Sequence, residues 1–224
     1  MPDIDLPKQL PIFPLTGTLL LPGMMLPLNI FEERYQNMVK DAMASDKMIG
    51  MIQPMVPQRD NHPLPGAELE KPRLYPMGCV GVIDNFRETK KGRFKIILRG
   101  LSRFQILEEL PLSEGGYRRV VPDYSPFVDD PAEIQQQLDG TELLRTFVEF
   151  ATGNGRTTDI GVMEGLPGPM LVNGLAMMVP FAPVEKQALL EADGLGSRME
   201  ILFSLFKMGA LMEGPQRNIP PEVN

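Results

Sequence analysis

The chain predicts an α+β fold in two parts: a small β-barrel or sandwich, then helices. Three observations carry this. Up to about residue 124, short apolar runs are separated by Gly and Pro turns, the pattern of an all-β barrel or sandwich. One amphipathic helical pattern, residues 31–44, interrupts them and is placed to plug or cover the sheet. From Asp129 onward the apolar spacing becomes helical. The expected division is therefore 1–124 for the β part and 125–224 for the helical part with its polar tail.

Residues 10–30, LPIFPLTGTLLLPGMMLPLNI, read as extended chain. Pro11, Pro14, Pro22 and Pro27 fix φ, remove donors and bias the residue before each to extended geometry, so no helix runs through them. Near Ile30 the spacing changes. Ile30, Phe31, Tyr35, Met38, Val39, Ala42 and Met43 recur at helical intervals, with charged residues interleaved. Asn29 is placed to cap this helix, with Glu32 and Glu33 in a first turn that favours carboxylates. Phe31 and Tyr35, one turn apart, are expected to pack it on the sheet. Met48–Pro54 reads as a buried strand, and the polar, proline-rich 55–73 as a long loop. Tyr75–Phe86 and Arg93–Leu98 form a hairpin around ETKKG. Gly100 is expected to break that pairing, Phe104–Leu107 to start another strand, and Tyr117–Tyr124 to be the last.

Asp129, Asp130 and Pro131 open a helical pattern through Ile134, Leu138, Leu143, Phe147 and Ala151. Residues 152–168 are a glycine-rich connection. Met170–Met178 is apolar almost all round and reads as a buried helix. Pro183 suits the first position of the next helix, Val184–Ala192. Ser197 and Glu200 form an S-x-x-E capping pattern before a final helix, and the tail from Glu213 is polar.

Composition narrows the function. Net charge is −7, which disfavours phosphate-driven nucleic-acid binding and attachment to anionic membranes. The densest basic cluster, Lys90, Lys91, Arg93, Lys95 and Arg99, covers a hairpin turn and reads as a solvated tip. A single cysteine, Cys79, lies in a strand-like run and reads as an inert buried thiol. With one histidine, His62, and one cysteine, no His/Cys zinc cluster is available within the chain. No GxxxxGK[ST] loop occurs. The carboxylate pairs Glu32/Glu33, Glu108/Glu109 and Asp129/Asp130 are adjacent, and adjacent residues diverge on a helix or strand. Neither a catalytic group, a metal nor a cofactor is expected. MPDIDLPKQL lacks a basic and apolar leader, and the run Leu19–Leu28 is too short and too proline-rich to span a bilayer, so a cytoplasmic chain is expected. Sixteen methionines among 224 residues is a high count; such side chains fill core gaps or make adaptable binding faces.

Three blocks carry a resemblance. "FPL…LLLPGMMLPLNIFEERYQNMV", "GCVGVIDNFRETKKGRFKIILRGLSRFQILEE" and "VPFAPVEKQALLEADGLGSRMEIL" resemble, in order, the Lon protease N-terminal domain, the substrate-binding region also found in cereblon. They span roughly residues 9 to 206. The resemblance implies an N-terminal PUA-like β-barrel with one covering helix, followed by a C-terminal α-helical bundle. It implies a non-catalytic, stand-alone module that binds polypeptide, unfolded or tagged, in an apolar groove at the barrel–bundle junction. A separate ATPase or protease is an implied partner, because Lon keeps those domains downstream. Pro22, Gly23, Pro27, Arg103 and Phe104 match the family's pattern as fold determinants. Gly92 matches its Gly-Arg turn with φ expected positive, although Lys91 stands where the family carries an acid. Arg34 matches a family arginine that either pairs with a carboxylate or lines a ligand edge. Candidate contact residues are Met24, Met25, Phe31, Arg34, Tyr35, Met55, Met77 and Phe86. A PUA-like module that binds RNA is the alternative, disfavoured by the acidity; an enzyme built on carboxylates is a third.

Overall fold

A computed structural model describes residues 5–55, 72–89, 92–153 and 160–212. The expected 55–73 loop with His62, the Lys90–Lys91 turn tip and the tail from Glu213 therefore fall almost wholly outside the described residues. The strands are β1 Leu10–Pro14, β2 Met25–Ile30, β3 Met48–Pro54, β4 Leu74–Glu88, β5 Phe94–Leu110 and β6 Arg118–Asp123. The helices are α1 Glu33–Met43, α2 Asp130–Glu133, α3 Thr141–Gly153, α4 Gly168–Met178, α5 Pro183–Glu191 and α6 Gly194–Met212. The six strands form one mixed sheet in the order β2-β5-β4-β3-β1-β6. Because β6 pairs with both β1 and β5, the pairings pass along β5-β4-β3-β1-β6 and return to β5. β1 and β3 are parallel; the other pairs are antiparallel. β2 lies along the N-terminal half of β5, with Met25 opposite Arg99 and Ile30 opposite Phe94.

Several local expectations are corrected. Asn29 belongs to β2, and α1 starts at Glu33 with Glu32 extended at the cap position. Phe31 thus precedes the helical register and is 66% exposed, whereas Tyr35 is buried with its ring 4.4 Å from that of Phe13. Gly100 does not break β5. It faces Gly81 across a register shift, so the strand bulges and continues to Leu110. A Cβ on Gly100 would sit 2.1 Å from the Leu21 carbonyl oxygen, so glycine is required by the close passage of that segment. The single helical pattern from Asp129 divides into α2 and α3, because residues 134–140 leave the helix and the Asp139 carboxylate accepts from the Thr141 N–H at 2.9 Å, starting α3 afresh. Ser197 and Glu200 lie inside α6, which begins at Gly194 with φ +83°. Gly92 does take a positive φ, +67°.

One contiguous apolar core spans sheet and helices, from Phe13, Leu20, Ile49 and Leu98 to Leu143, Leu175 and Phe206. Two buried polar connections fix how the helices sit on the sheet. In the first, Arg103 of β5 donates to both oxygens of Asp130, with its Nη2 2.7 Å from Oδ1, and to the carbonyls of Ala192 (2.6 Å) and Leu190 (3.2 Å). Its own backbone N–H also donates to Asp130 at 2.7 Å. Glu133 lies between Arg103 (3.4 Å) and Arg198 of α6 (3.2 Å), and Arg198 continues to Asn173 of α4 and the Leu189 carbonyl. Burial works against the Arg103 cation, but hydrogen bonding and charge from Asp130 win and raise its pKa. In the second, Gln53 of β3 donates to the Pro183 carbonyl and to Gln187, which reaches the Met77 carbonyl at 3.3 Å.

Removing one member of the first network leaves the others charged and dry. Arg103→Ala is expected to cost about 3–5 kcal/mol, read as a lowered urea midpoint, whereas exposed Arg34→Ala should change it by less than about 1 kcal/mol.

Candidate binding face

α4, GPMLVNGLAMM, contains no ionisable side chain. Leu171, Val172, Leu175 and Ala176 fill the core. Helical periodicity then puts Met170, Gly174, Met177 and Met178 on one other stripe. Met170 is 43% and Met178 53% exposed, and Met177 is half-buried. Gly174, in mid-helix, keeps the stripe low. A Cβ there would lie 3.8 Å from the Met24 methyl carbon, so Met24 reaches from the turn before β2 across the α4 surface. Met25, the next residue, opens β2 and is 45% exposed. Met24 thus meets the α4 stripe at Gly174.

The C-terminal end of α4 is held by an unusual cap. Lys186 of α5 is buried, and its Nζ donates to the carbonyls of Ala176 (3.1 Å) and Met177 (2.5 Å). These are last-turn acceptors that the helix itself leaves unpaired. Among the described residues no ion pair accompanies the ammonium, and burial pulls its pKa from 10.5 down to about 8.

The structure brings Met24 to the α4 surface, leaves Met25 exposed at the start of β2, and scatters the other candidates. Met77 is partly buried on β4 against the core. Tyr35 is buried in α1, with the Arg34 guanidinium 4.6 Å from its ring centroid. Arg34 itself is exposed and donates to Glu32 at 2.7 Å. Phe31 stands free before α1. Phe86 is 39% exposed and packs edge-on against Phe94 at 5.1 Å. Met55, 40% exposed, closes β3 by donating its N–H to the Arg73 carbonyl. Sequence reading missed Met170 and Met178, because an apolar pattern all round a helix signals burial and does not mark the one stripe left uncovered.

Among the described residues β2 has a single strand neighbour, β5. Pro27 has no N–H, so the ladder to β5 must run through Leu26, Leu28 and Ile30. The alternate residues face the free edge, where Pro27 removes a donor and blunts strand addition. Elsewhere, Gln136, Gln137, Leu138, Asp139, Pro167 and Gly168 line a cavity of about 470 Å3 beside α4. It gathers no nucleophile with a base. Among the described residues no group of three or more His, Cys, Asp or Glu is placed to hold a metal ion. Cys79 is buried, and burial pushes its thiol pKa up. Among the described residues no helix is long and apolar enough to cross a membrane.

A six-stranded mixed sheet with helices joined at an apolar face defines an α+β domain of the kind seen in Lon N-terminal structures. The Lon N-terminal domain protein from Xanthomonas campestris superposes with a TM-score of 0.60 at 21% identity, covering 88% of this chain and 97% of that one. The N-terminal domain of Mycobacterium avium complex Lon protease gives 0.62 at 18% identity, covering 89% and 98%. The family model of the ATP-dependent protease La (LON) substrate-binding domain matches residues 9–207, and the chain belongs to that family. Among curated relatives, it is 27% identical to Lon protease 2 of Myxococcus xanthus over 205 residues and 26% identical to the Lon protease of Dictyoglomus thermophilum over 176. Those alignments take in 90% and 79% of this chain but only 24% and 20% of the relatives' length.

Two measurements probe α4. Gly174→Ala should stabilise the fold by about 0.5–1 kcal/mol, since mid-helix glycine is unfavourable and the added methyl meets Met24 only at ordinary contact distance. Lys186 has a folded pKa below its unfolded one, so the unfolded chain binds more protons between the two values. Its cost is full below about pH 8 and is relieved as pH rises toward 10.5. Stability of the wild type relative to Lys186→Met should therefore rise between about pH 8 and 10 by chemical denaturation.

Proposed function

We propose that this chain is a non-catalytic polypeptide-binding module, taking apolar stretches of unfolded or tagged chains on the face formed by Met24, Met25, Met170, Met177 and Met178. The exposed, uncharged methionine stripe of α4 carries the reading, in a chain of the substrate-binding family. Flexible thioether side chains repack around varied apolar segments, which suits a receptor for many sequences. The blunted edge of β2 favours side-chain contact over strand addition. In this reading the returning strand pairings make a PUA-like barrel over 1–124, and α3 to α6 a helical bundle within 125–224, with the face at their junction. A separate ATPase or protease would act on what the module holds, in the cytoplasm. RNA is the weaker ligand class: net charge is −7, and Arg34, Arg99 and Arg118 are paired with Glu32, Asp84 and Glu109.

Fluorescence anisotropy with a labelled, permanently unfolded polypeptide tests the proposal. Saturable binding is expected. Met170→Glu/Met178→Glu should weaken it about tenfold or more, because a bound apolar segment would then desolvate two carboxylates. The thermal midpoint should hardly move, since both positions are exposed. Absence of binding at high micromolar concentration, or unchanged affinity in the double variant, would count against the reading.

A further inference from the structure

The same methionines bear a second chemistry. Cys79, the chain's one thiol, is 1% exposed and its pKa is pushed up, so it is withdrawn from oxidants. Met38, Met48 and Met51 are also enclosed, at 0%, 6% and 3% exposure. The sulfur chemistry left open to solvent is carried by exposed thioethers, and two of these, Met170 and Met178, share the α4 stripe. α4 has no ionisable group, so the polarity of its stripe is set by the thioethers themselves. Leucine would supply similar apolar volume without this reactivity.

We propose that Met170 and Met178 form an oxidation switch on the binding face, set by peroxide-class oxidants. The proposal rests on the polypeptide-binding reading above. A thioether lone pair attacks one oxygen of hydrogen peroxide; the S–O bond forms as the O–O bond breaks. Sulfur loses two electrons, and the second oxygen leaves as water after proton transfer. The sulfoxide is polar and chiral, and it must be desolvated by any apolar segment that binds. α4 stays in place, because its core-facing residues are untouched and Lys186 still caps its end. The switch therefore changes affinity without unfolding the domain, and methionine sulfoxide reductases would reset it.

Graded hydrogen peroxide treatment of the full chain tests this, with peptide mass mapping and anisotropy at each dose. Met25, Met170 and Met178 should gain oxygen before Met38, Met48 and Met51. Affinity for the labelled unfolded polypeptide should fall about tenfold as Met170 and Met178 convert, and return with the two reductases. Met208→Leu, which removes an exposed methionine of α6 and leaves the α4 stripe intact, should keep the same peroxide sensitivity. In Met170→Leu/Met178→Leu the ratio of affinities before and after peroxide should approach one. Unchanged affinity with Met170 and Met178 fully oxidised, or an equal loss in the double Leu variant, overturns the switch and leaves the binding reading standing. No binding before any peroxide overturns the binding reading, and the switch falls with it.

Discussion

Arg103 leaves the sheet in the middle of β5 and ends among the helices, where Asp130, Glu133 and the carbonyls of Leu190 and Ala192 receive it. Arg198 approaches from α6 and shares Glu133. Two cations and two anions are thereby enclosed together. Such a cluster adds little net stability over an apolar replacement, because desolvation consumes most of the Coulomb gain. Its effect lies in what it forbids. A helix shifted along the sheet would leave a buried charge without its partner, at far greater cost than a displaced leucine. The apolar core that fills the same space, with Phe206 stacked among Phe147, Phe150 and Phe181, tolerates repacking; the arginine network does not. The network reaches α4 through Asn173, which bonds Arg198, and so ties that helix into the same constraint.

The sequence disclosed the parts of this fold that depend on local rules. Proline spacing marked the extended N-terminal segments, buried β3 was bounded as Met48–Pro54, and Pro183 marked the first turn of α5. Misjudged boundaries share one cause, which is tertiary contact overriding local preference. Gly100 resembles a breaker until the Leu21 carbonyl is seen to need its missing side chain. Ser197 resembles a cap, yet α6 starts a turn earlier at the positive φ of Gly194. The buried ionic network was illegible for the same reason. Asp130 and Arg198 look like ordinary surface charges in the chain, and only the fold reveals that both are almost fully enclosed. The proposed methionine face was only partly legible: Met24 stood out in an extended segment, while Met170 and Met178 were hidden in a helix that looks apolar on every side.

The described surface separates its chemistry by region. Some exposed cations are engaged by neighbouring carboxylates, as Arg34 by Glu32 and Arg99 by Asp84, which weakens the positive field there. The outer strand carries a proline where a pairing donor would stand. In the proposed reading, the surface used for macromolecular contact is soft, uncharged and adaptable, on a helix whose far end is pinned by Lys186. A deformable lining on a rigid backbone suits recognition of segments that share hydrophobicity and little else.

β1 lies between β3, which it joins in parallel, and β6, where Leu10 faces Val120. Early and late portions of the polypeptide are thus neighbours in one sheet. On a ribosome, the first strand must wait for β6, over a hundred residues later, to emerge before its second flank can be covered. Contacts this distant along the chain slow the search for the native topology. In the interval, the greasy run Leu19–Leu21, fully enclosed once assembly is complete, stays open to the kind of capture that chaperones perform on nascent chains.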